Sequence, residues 1–252
     1  MSTTGQHGDI VSLWLRRPGH GNALDPSTVE RLHQELSANE ARPECVAAVI
    51  RAVGATFCAG ADVRACVELM KTPDRLLSFF DAGRRFMERL TTSRLVSIAV
   101  VEGLAAAGGL ELVAAADIVI ATDKATFADR HATFGFLPAF GATALLPTRV
   151  GNGVATSLLL GKRELDASAA LAVNLVHRMC PADQVDRAVG EEVERLRGIG
   201  AFAIAEMKRL INEMEPLRFQ PEEEAVRRFN SSGGYEPSRF IARGEQGRDS
   251  ER

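Results

Sequence analysis

Apolar residues along the chain fall into two periodicities. Ile10 to Leu15 is rich in large and β-branched side chains and is closed by Arg16-Arg17-Pro18-Gly19, which predicts a strand ending in a turn. Asp25-Pro26 supplies an N-cap and a first-turn proline, and Val29, Leu32 and Leu36 recur behind it at helical spacing. Val46 to Val53 predicts a second strand, followed by a loop with two glycines from Gly54 to Asp62. Between Arg75 and Leu90, the residues Leu76, Phe79, Phe80, Gly83, Phe86, Met87 and Leu90 share one side of a helix. Val96 to Val101 is a third strand; the small-residue loop Glu102 to Gly109, a helix over Gly108 to Ala116 and a strand over Asp117 to Ala121 follow. Thr122 to Ala139 reads as a mixed loop and most of Gly141 to Met214 as helices. Breaks are expected at Ala182-Asp183 and Ile199-Gly200, with a short extended segment at Leu175 to Met179.

Alternating strands and helices followed by helices alone predict an α/β core with a helical C-terminal region. The near-continuous apolar strands predict a sheet covered on both faces. With 252 residues, 46% of them hydrophobic, the chain can bury a substantial core. A net charge of -3 with no isolated Lys/Arg block argues against a nucleic-acid partner. Arg227, Arg228, Arg239, Arg243, Arg248 and Arg252 gather near the end, and the interleaved acids favour a solvated tail over a phosphate-binding strip. Met1 to Asp9 is polar and lacks a signal-peptide layout. The most apolar stretch, Leu104 to Ala121, contains Glu111, Asp117 and Gly108-Gly109, so it predicts a core segment and no membrane span. Cys45, Cys58, Cys66 and Cys180 form no CxxC pair and have no His at metal-ligand spacing. A Cys58–Cys66 disulfide stays open on spacing, although the composition favours a reducing, cytoplasmic setting and no metal site.

Two loops carry the candidate chemistry: Gly54-Ala-Thr-Phe-Cys-Ala-Gly-Ala-Asp-Val63 and Val101-Glu-Gly-Leu-Ala-Ala-Ala-Gly-Gly-Leu-Glu111. Each joins a buried strand to a helix start. Small residues let backbone N–H groups approach a ligand closely, and a helix N-terminus favours developing negative charge. Two such donors aimed at one oxygen make an oxyanion hole. Neither loop matches the glycine spacing of a nucleotide-phosphate cradle. Either loop alone reads equally well as turn glycines and close-packed alanines.

Together, in this order, they resemble the crotonase (enoyl-CoA hydratase/isomerase) superfamily. The similarity runs from Ile10 to Arg227. Its pieces are Arg17-Pro18…Asn22-Ala23-Leu24, Phe57-Cys58-Ala59-Gly60-Ala61-Asp62, Gly108-Gly109-Leu110-Glu111-Leu112…Asp117 and Phe127 to Thr143 with Gly135…Pro138…Gly141. Leu160-Gly161-Lys162-Arg163…Ala169-Ala170…Leu175-Val176 and Lys208-Arg209 continue it. The resemblance implies a spiral of repeated ββα units over residues 1–195. A helical region over 196–252, ending in a loose polar tail, would drive assembly into a homotrimer or a dimer of trimers. It further implies that the N–H groups of Ala61 and Gly108 polarise a thioester carbonyl, with Glu111 as a catalytic carboxylate. The Ala59 carbonyl would contact the adenine of coenzyme A, Ala23 and Asp62 lie in coenzyme A-binding motifs, and His20 and Arg64 are the basic candidates for its phosphates. No cofactor is expected beyond the coenzyme A of the acyl-CoA substrate.

The sequence departs from the family where a second carboxylate is expected, four residues after Phe127. His131 stands there. An imidazole titrating near 6.5 can replace a carboxylate as proton donor or acceptor, or it can be a pocket wall, and both readings stand. Asp129 offers a carboxylate nearby, but the alignment points it elsewhere. The usual C-terminal ending is replaced by Ser231-Ser-Gly-Gly-Tyr-Glu-Pro-Ser238, which puts its part in closing a coenzyme A pocket in doubt. Hydration of a 2-enoyl-CoA is the favoured reaction, double-bond isomerisation the second, and thioester hydrolysis or decarboxylation the third. A silent coenzyme A-binding module ranks last, because it needs no buried Glu beside the hole. Cys66, Met70, Phe86, Phe134, Phe136 and Phe140 are candidates for the acyl pocket.

Overall fold

The computed structural model describes residues 9–214 and 218–235. Readings made for the first eight residues and for the tail from Glu236 onward lie outside the described residues.

Among the described residues, nine strands and ten α-helices are distributed in a repeating order. The strands are β1 (Ile10–Leu15), β2 (Ala47–Ala52), β3 (Thr56–Cys58), β4 (Val96–Val101), β5 (Leu104–Ala106), β6 (Ile118–Ala121), β7 (Thr126–Ala128), β8 (Glu164–Asp166) and β9 (Arg178–Met179). The helices are α1 (Pro26–Glu40), α2 (Val63–Met70), α3 (Pro73–Thr92), α4 (Gly108–Ala115), α5 (His131–Phe134), α6 (Ala142–Leu159), α7 (Ala167–Ala172), α8 (Val185–Ile199), α9 (Ala201–Met214) and α10 (Gln220–Ser231). Asp25 caps α1 as its sequence predicts, accepting from the Thr28 N–H at 2.8 Å, with Pro26 in the first turn.

Strands β1-β2-β4-β6-β9 form one parallel five-stranded sheet, and β3-β5-β7-β8 form a second, four-stranded one with β8 antiparallel. Each of the pairs β2/β3, β4/β5 and β6/β7 puts one strand into each sheet before the chain enters a helix. The result is a spiral of ββα turns, as expected. The second sheet is the correction to the sequence reading, which treated Thr56 to Cys58, Leu104 to Ala106 and Thr126 to Ala128 as loop. Three-residue strands are too short to show a period of two, and their stability comes from lateral pairing such as Ala105↔Phe127.

The larger sheet is covered on both faces. Leu13, Leu15, Ala48, Ile50, Ala99 and Val101 join a core with α1, α3, α4 and the second sheet. Val49, Ile98, Val100 and Ile120 pack on the other side against Val185, Val189, Val193 and Leu196 of α8. All four cysteines are buried free thiols, so the disulfide left open by spacing is not formed.

Candidate active site

The loop after β3 is held in place by a buried polar hub. Asn22, with φ 53 and 1% exposure, donates from Nδ2 to the carbonyls of Val53 and Thr56 at 2.9 and 2.7 Å and accepts the Arg17 N–H at 2.8 Å. Arg17 donates to the Ala23 carbonyl and to Asp62 Oδ2, both at 2.8 Å. Asp62 also caps α2 through the amides of Arg64 and Ala65. The backbone of Gly21 to Leu24 therefore runs beside Ala59 to Asp62, with Leu24 N–H to Gly60 carbonyl and Asp62 N–H to Leu24 carbonyl both at 2.8 Å.

The glycines allow this loop to meet the start of α4. A Cβ on Gly109 would lie 2.2 Å from the Cys58 carbonyl oxygen, and one on Gly60 (φ +110) would lie 2.9 Å from the Ala107 Cβ. A Cβ on Gly108 would sit 3.3 Å from the Ala61 nitrogen, so the two loops are in backbone contact. Ala107 caps α4 with φ 47 and ψ -116, an uncommon conformation for a residue with a side chain, which places Gly108 at the first helical position. Among the described residues, neither the Ala61 nor the Gly108 N–H donates to a backbone carbonyl. Both residues line one cavity.

Glu111 lies one turn into α4 and is 1% exposed. Its Oε1 accepts the N–H groups of Phe140 and Ala142, at 2.9 and 3.0 Å, from the start of α6. Its Oε2 faces His131 Nε2 at 3.9 Å. His131 opens α5, and its Nδ1 is 2.6 Å from Asp129 Oδ1 while its own N–H reaches Asp129 Oδ2 at 3.1 Å. Asp129 is buried behind the ring and is not among the cavity-lining residues, so its carboxylate orients His131. The carboxylate fixes the ring with Nε2 toward Glu111, the usual way a second group sets a histidine tautomer.

Burial pushes the Glu111 carboxyl up, against the opposing pull of His131 and the two amides. Burial pulls the His131 imidazole down, but the Asp129 hydrogen bond and the charges of Glu111, Asp129 and Glu222 outweigh it and raise it to about 8. Burial therefore favours the protonated Glu111 carboxyl, the neighbouring His131 opposes this, and the imidazole keeps its proton to higher pH than a free one. Among the described residues, no group of three His, Cys, Asp or Glu side chains is arranged to hold a metal ion.

The cavity has a volume of about 90 Å³, and Ala59, Ala61, Gly108, Glu111 and His131 are among its lining residues. Cys66, Met70, Phe134, Phe136 and Phe140 line it as expected. Phe86 does not; it is buried in the core at 6.4 Å from the His33 ring. Of the expected coenzyme A contacts, Ala59 is exposed on the cavity wall. His20 and Arg64 are on the open surface, and Ala23 and Asp62 belong to the loop framework.

Two functional candidates escaped the sequence reading. Tyr235, the one tyrosine of the chain, is 5% exposed and lines the cavity. Its ring centroid lies 5.2, 5.3 and 4.9 Å from those of Phe80, Phe136 and Phe229. Glu222 of α10 is buried against Thr143 at the start of α6. Its signal was positional. Phe219, Glu222, Val226 and Phe229 recur at helical spacing, so Glu222 sits on an apolar face inside what looks like a solvated charge run.

A family model described as enoyl-CoA hydratase/isomerase matches residues 5–231. The chain is 28% identical over 214 residues to a carnitinyl-CoA dehydratase of Proteus mirabilis, covering 84% of this chain and 80% of that one. It is 27% identical over 208 residues to a short-chain-enoyl-CoA hydratase of Clostridium acetobutylicum, covering 82% and 79%. The crystal structure of an enoyl-CoA hydratase from Mycobacterium avium subsp. paratuberculosis superposes with a TM-score of 0.82 at 26% identity, covering 94% of each chain. The paired sheets, the two glycine loops that meet at Gly108 and this likeness along the chain agree: the protein belongs to the enoyl-CoA hydratase/isomerase family, the crotonase superfamily.

Proposed function

We propose that the protein adds water across the C2–C3 double bond of a 2-enoyl-CoA, with Glu111 and His131 sharing the proton transfers. The observation that carries this reading is the oriented pair, His131 Nε2 facing Glu111 Oε2 at 3.9 Å with Asp129 behind the ring. That gap is too long for a direct hydrogen bond and suits a water held by both groups. The ionised Glu111 takes a proton from this water as its oxygen bonds to C3. The π electrons shift toward the thioester oxygen, where the Ala61 and Gly108 N–H groups receive the developing charge as an oxyanion hole. His131 gives its Nε2 proton to C2. The proton left on Glu111 then returns to His131, restoring both groups. Isomerisation needs one base alone, whereas this site supplies a base and an oriented acid.

Coenzyme A itself would lie along the exposed Ala59 edge, with His20 and Arg64 near enough to the loop to serve its phosphates. The ultraviolet absorbance of crotonyl-CoA tests the reading. Its loss with wild type, formation of a 3-hydroxyacyl product and silence of Glu111→Gln are expected. Release of free thiol, or turnover only of a 3-enoyl-CoA, would overturn it.

We also propose that the C-terminal region assembles the protein as a homotrimer or dimer of trimers. α9 presents Phe202, Met207, Leu210, Ile211 and Met214 to the outside, an apolar surface that assembly would cover. Light scattering that returns a monomer mass would refute it. No helix among the described residues is long and apolar enough to cross a membrane. The four free thiols support a cytoplasmic location.

A further inference from the structure

The start of α6 is gripped from two sides. Glu111 comes from α4 and takes the amides of Phe140 and Ala142. Glu222 comes from α10, and its Oε2 takes the next amide, Thr143 N–H, at 2.8 Å and the Thr143 hydroxyl at 2.5 Å. Gly141 lies between them with φ +119, and a Cβ there would be 2.4 Å from the Phe219 ring just before α10. The helix start therefore has no room to shift toward α10, and the Glu222–Thr143 bonds hold it from moving away. Glu222 is 5% exposed, and its Oε1 has no hydrogen-bond partner among the described residues. A buried carboxylate with one idle oxygen is costly for mere capping, where a serine or asparagine would serve.

We infer that Glu222 is a positioning residue for the reaction, fixing the α6 start that clamps Glu111 and adding negative charge behind the Glu111–His131 pair. The inference rests on the hydration reading for its catalytic consequence but not for the coupling itself. Glu111 from α4 and His131 from α5 are the titratable groups whose charges act on Glu222, and Glu222 in turn acts on Tyr235 beyond α10. On the next position Glu223 turns away to Arg84 of α3 and to Arg227, both at 3.0 Å. Burial, and next the charge of Glu111, raise the Glu222 carboxyl to about 7, so its charge is in place in the range where His131 titrates. That charge helps His131 hold its proton.

The test is a nuclear magnetic resonance titration of the full chain carrying 13C-labelled histidine, with the His131 signal assigned by its loss in His131→Gln. In wild type the His131 midpoint is expected at about 8. In Glu222→Gln, which keeps the shape and an acceptor for Thr143, it is expected to move to lower pH while the His177 signal stays in place. Thr143→Val, which removes one donor to Glu222 and leaves the carboxylate, moves it the same way by less, and this variant decides the matter if Glu222→Gln does not fold. On crotonyl-CoA, kcat of Glu222→Gln falls about tenfold with KM held within about threefold, and the pH profile moves down with the midpoint. A His131 midpoint that is unmoved in folded variants overturns the inference, whatever the activity. A midpoint that moves while wild type hydrates nothing overturns the hydration reading and leaves the coupling standing.

Discussion

Glu111 separates two roles that a buried carboxylate often merges, and two substitutions at that one position pull them apart. Its Oε1 satisfies the Phe140 and Ala142 amides, while Oε2 faces His131. Glu111→Gln can place its carbonyl oxygen where Oε1 lies, keeping both amide bonds and removing a charge that burial opposes. Stability is then expected within about 1 kcal/mol of wild type. Glu111→Ala strands both amides, each costing about 1–3 kcal/mol, so about 2–6 kcal/mol is expected before any cavity cost. Both variants lose the base, and the hydration rate should drop by about 10² to 10⁴. Urea unfolding monitored by circular dichroism gives the first quantity, and crotonyl-CoA absorbance the second. Equal destabilisation by Gln and Ala would show that Oε1 is not the structural half. A Gln variant within tenfold of wild-type turnover would show that Oε2 is not the chemical half.

Because His131 binds its proton more tightly folded than unfolded, its contribution to stability is full below pH 6.5 and disappears as pH rises through about 8. The difference corresponds to about 2 kcal/mol, and the stability gap between wild type and His131→Gln should shrink over that window; a gap independent of pH contradicts the assignment. Gly109→Ala drives a methyl group to 2.2 Å from the Cys58 carbonyl oxygen. We expect a loss of about 1–3 kcal/mol or more in chemical denaturation, together with reduced kcat, and a variant of native stability would mean the loops are not in contact. Burial raises the Cys58 and Cys66 thiols to about 12, so native protein should resist iodoacetamide at pH 8 and label only after unfolding. Rapid native labelling of Cys58, read by mass spectrometry, counts against the packing around β3.

The long elements were legible because each carries its own pattern. The buried face of α3, from Leu76 to Leu90, and the apolar runs of β1, β2 and β4 can be read without a partner. The second sheet could not be read that way, since β3, β5 and β7 exist by pairing with one another. At the site, Glu111 and the glycine loops were found through their order along the chain. The Asp129–His131 contact was not, because two neighbours in sequence meet only after the bend between β7 and α5 turns the imidazole back. Tyr235 was hidden for a different reason. Nothing local distinguishes an aromatic after Gly233-Gly234 in a polar stretch from one on the surface, and only the Phe80, Phe136 and Phe229 rings around it do so.

The lining of the cavity has separate origins in the chain. One part is built from turns of the spiral, where Gly60 and Gly109 leave no room for larger side chains. Another part is supplied by Tyr235, about a hundred residues downstream of His131, on a segment that joins neither sheet. A ribosome releases that segment after the spiral has emerged, so Tyr235 and the Glu222 that holds the start of α6 join the frame late and together. The same separation gives natural variation a place to act. Changes around residue 235 reshape what the chamber accepts while the hydrogen bonds that hold Glu111 and His131 stay as they are.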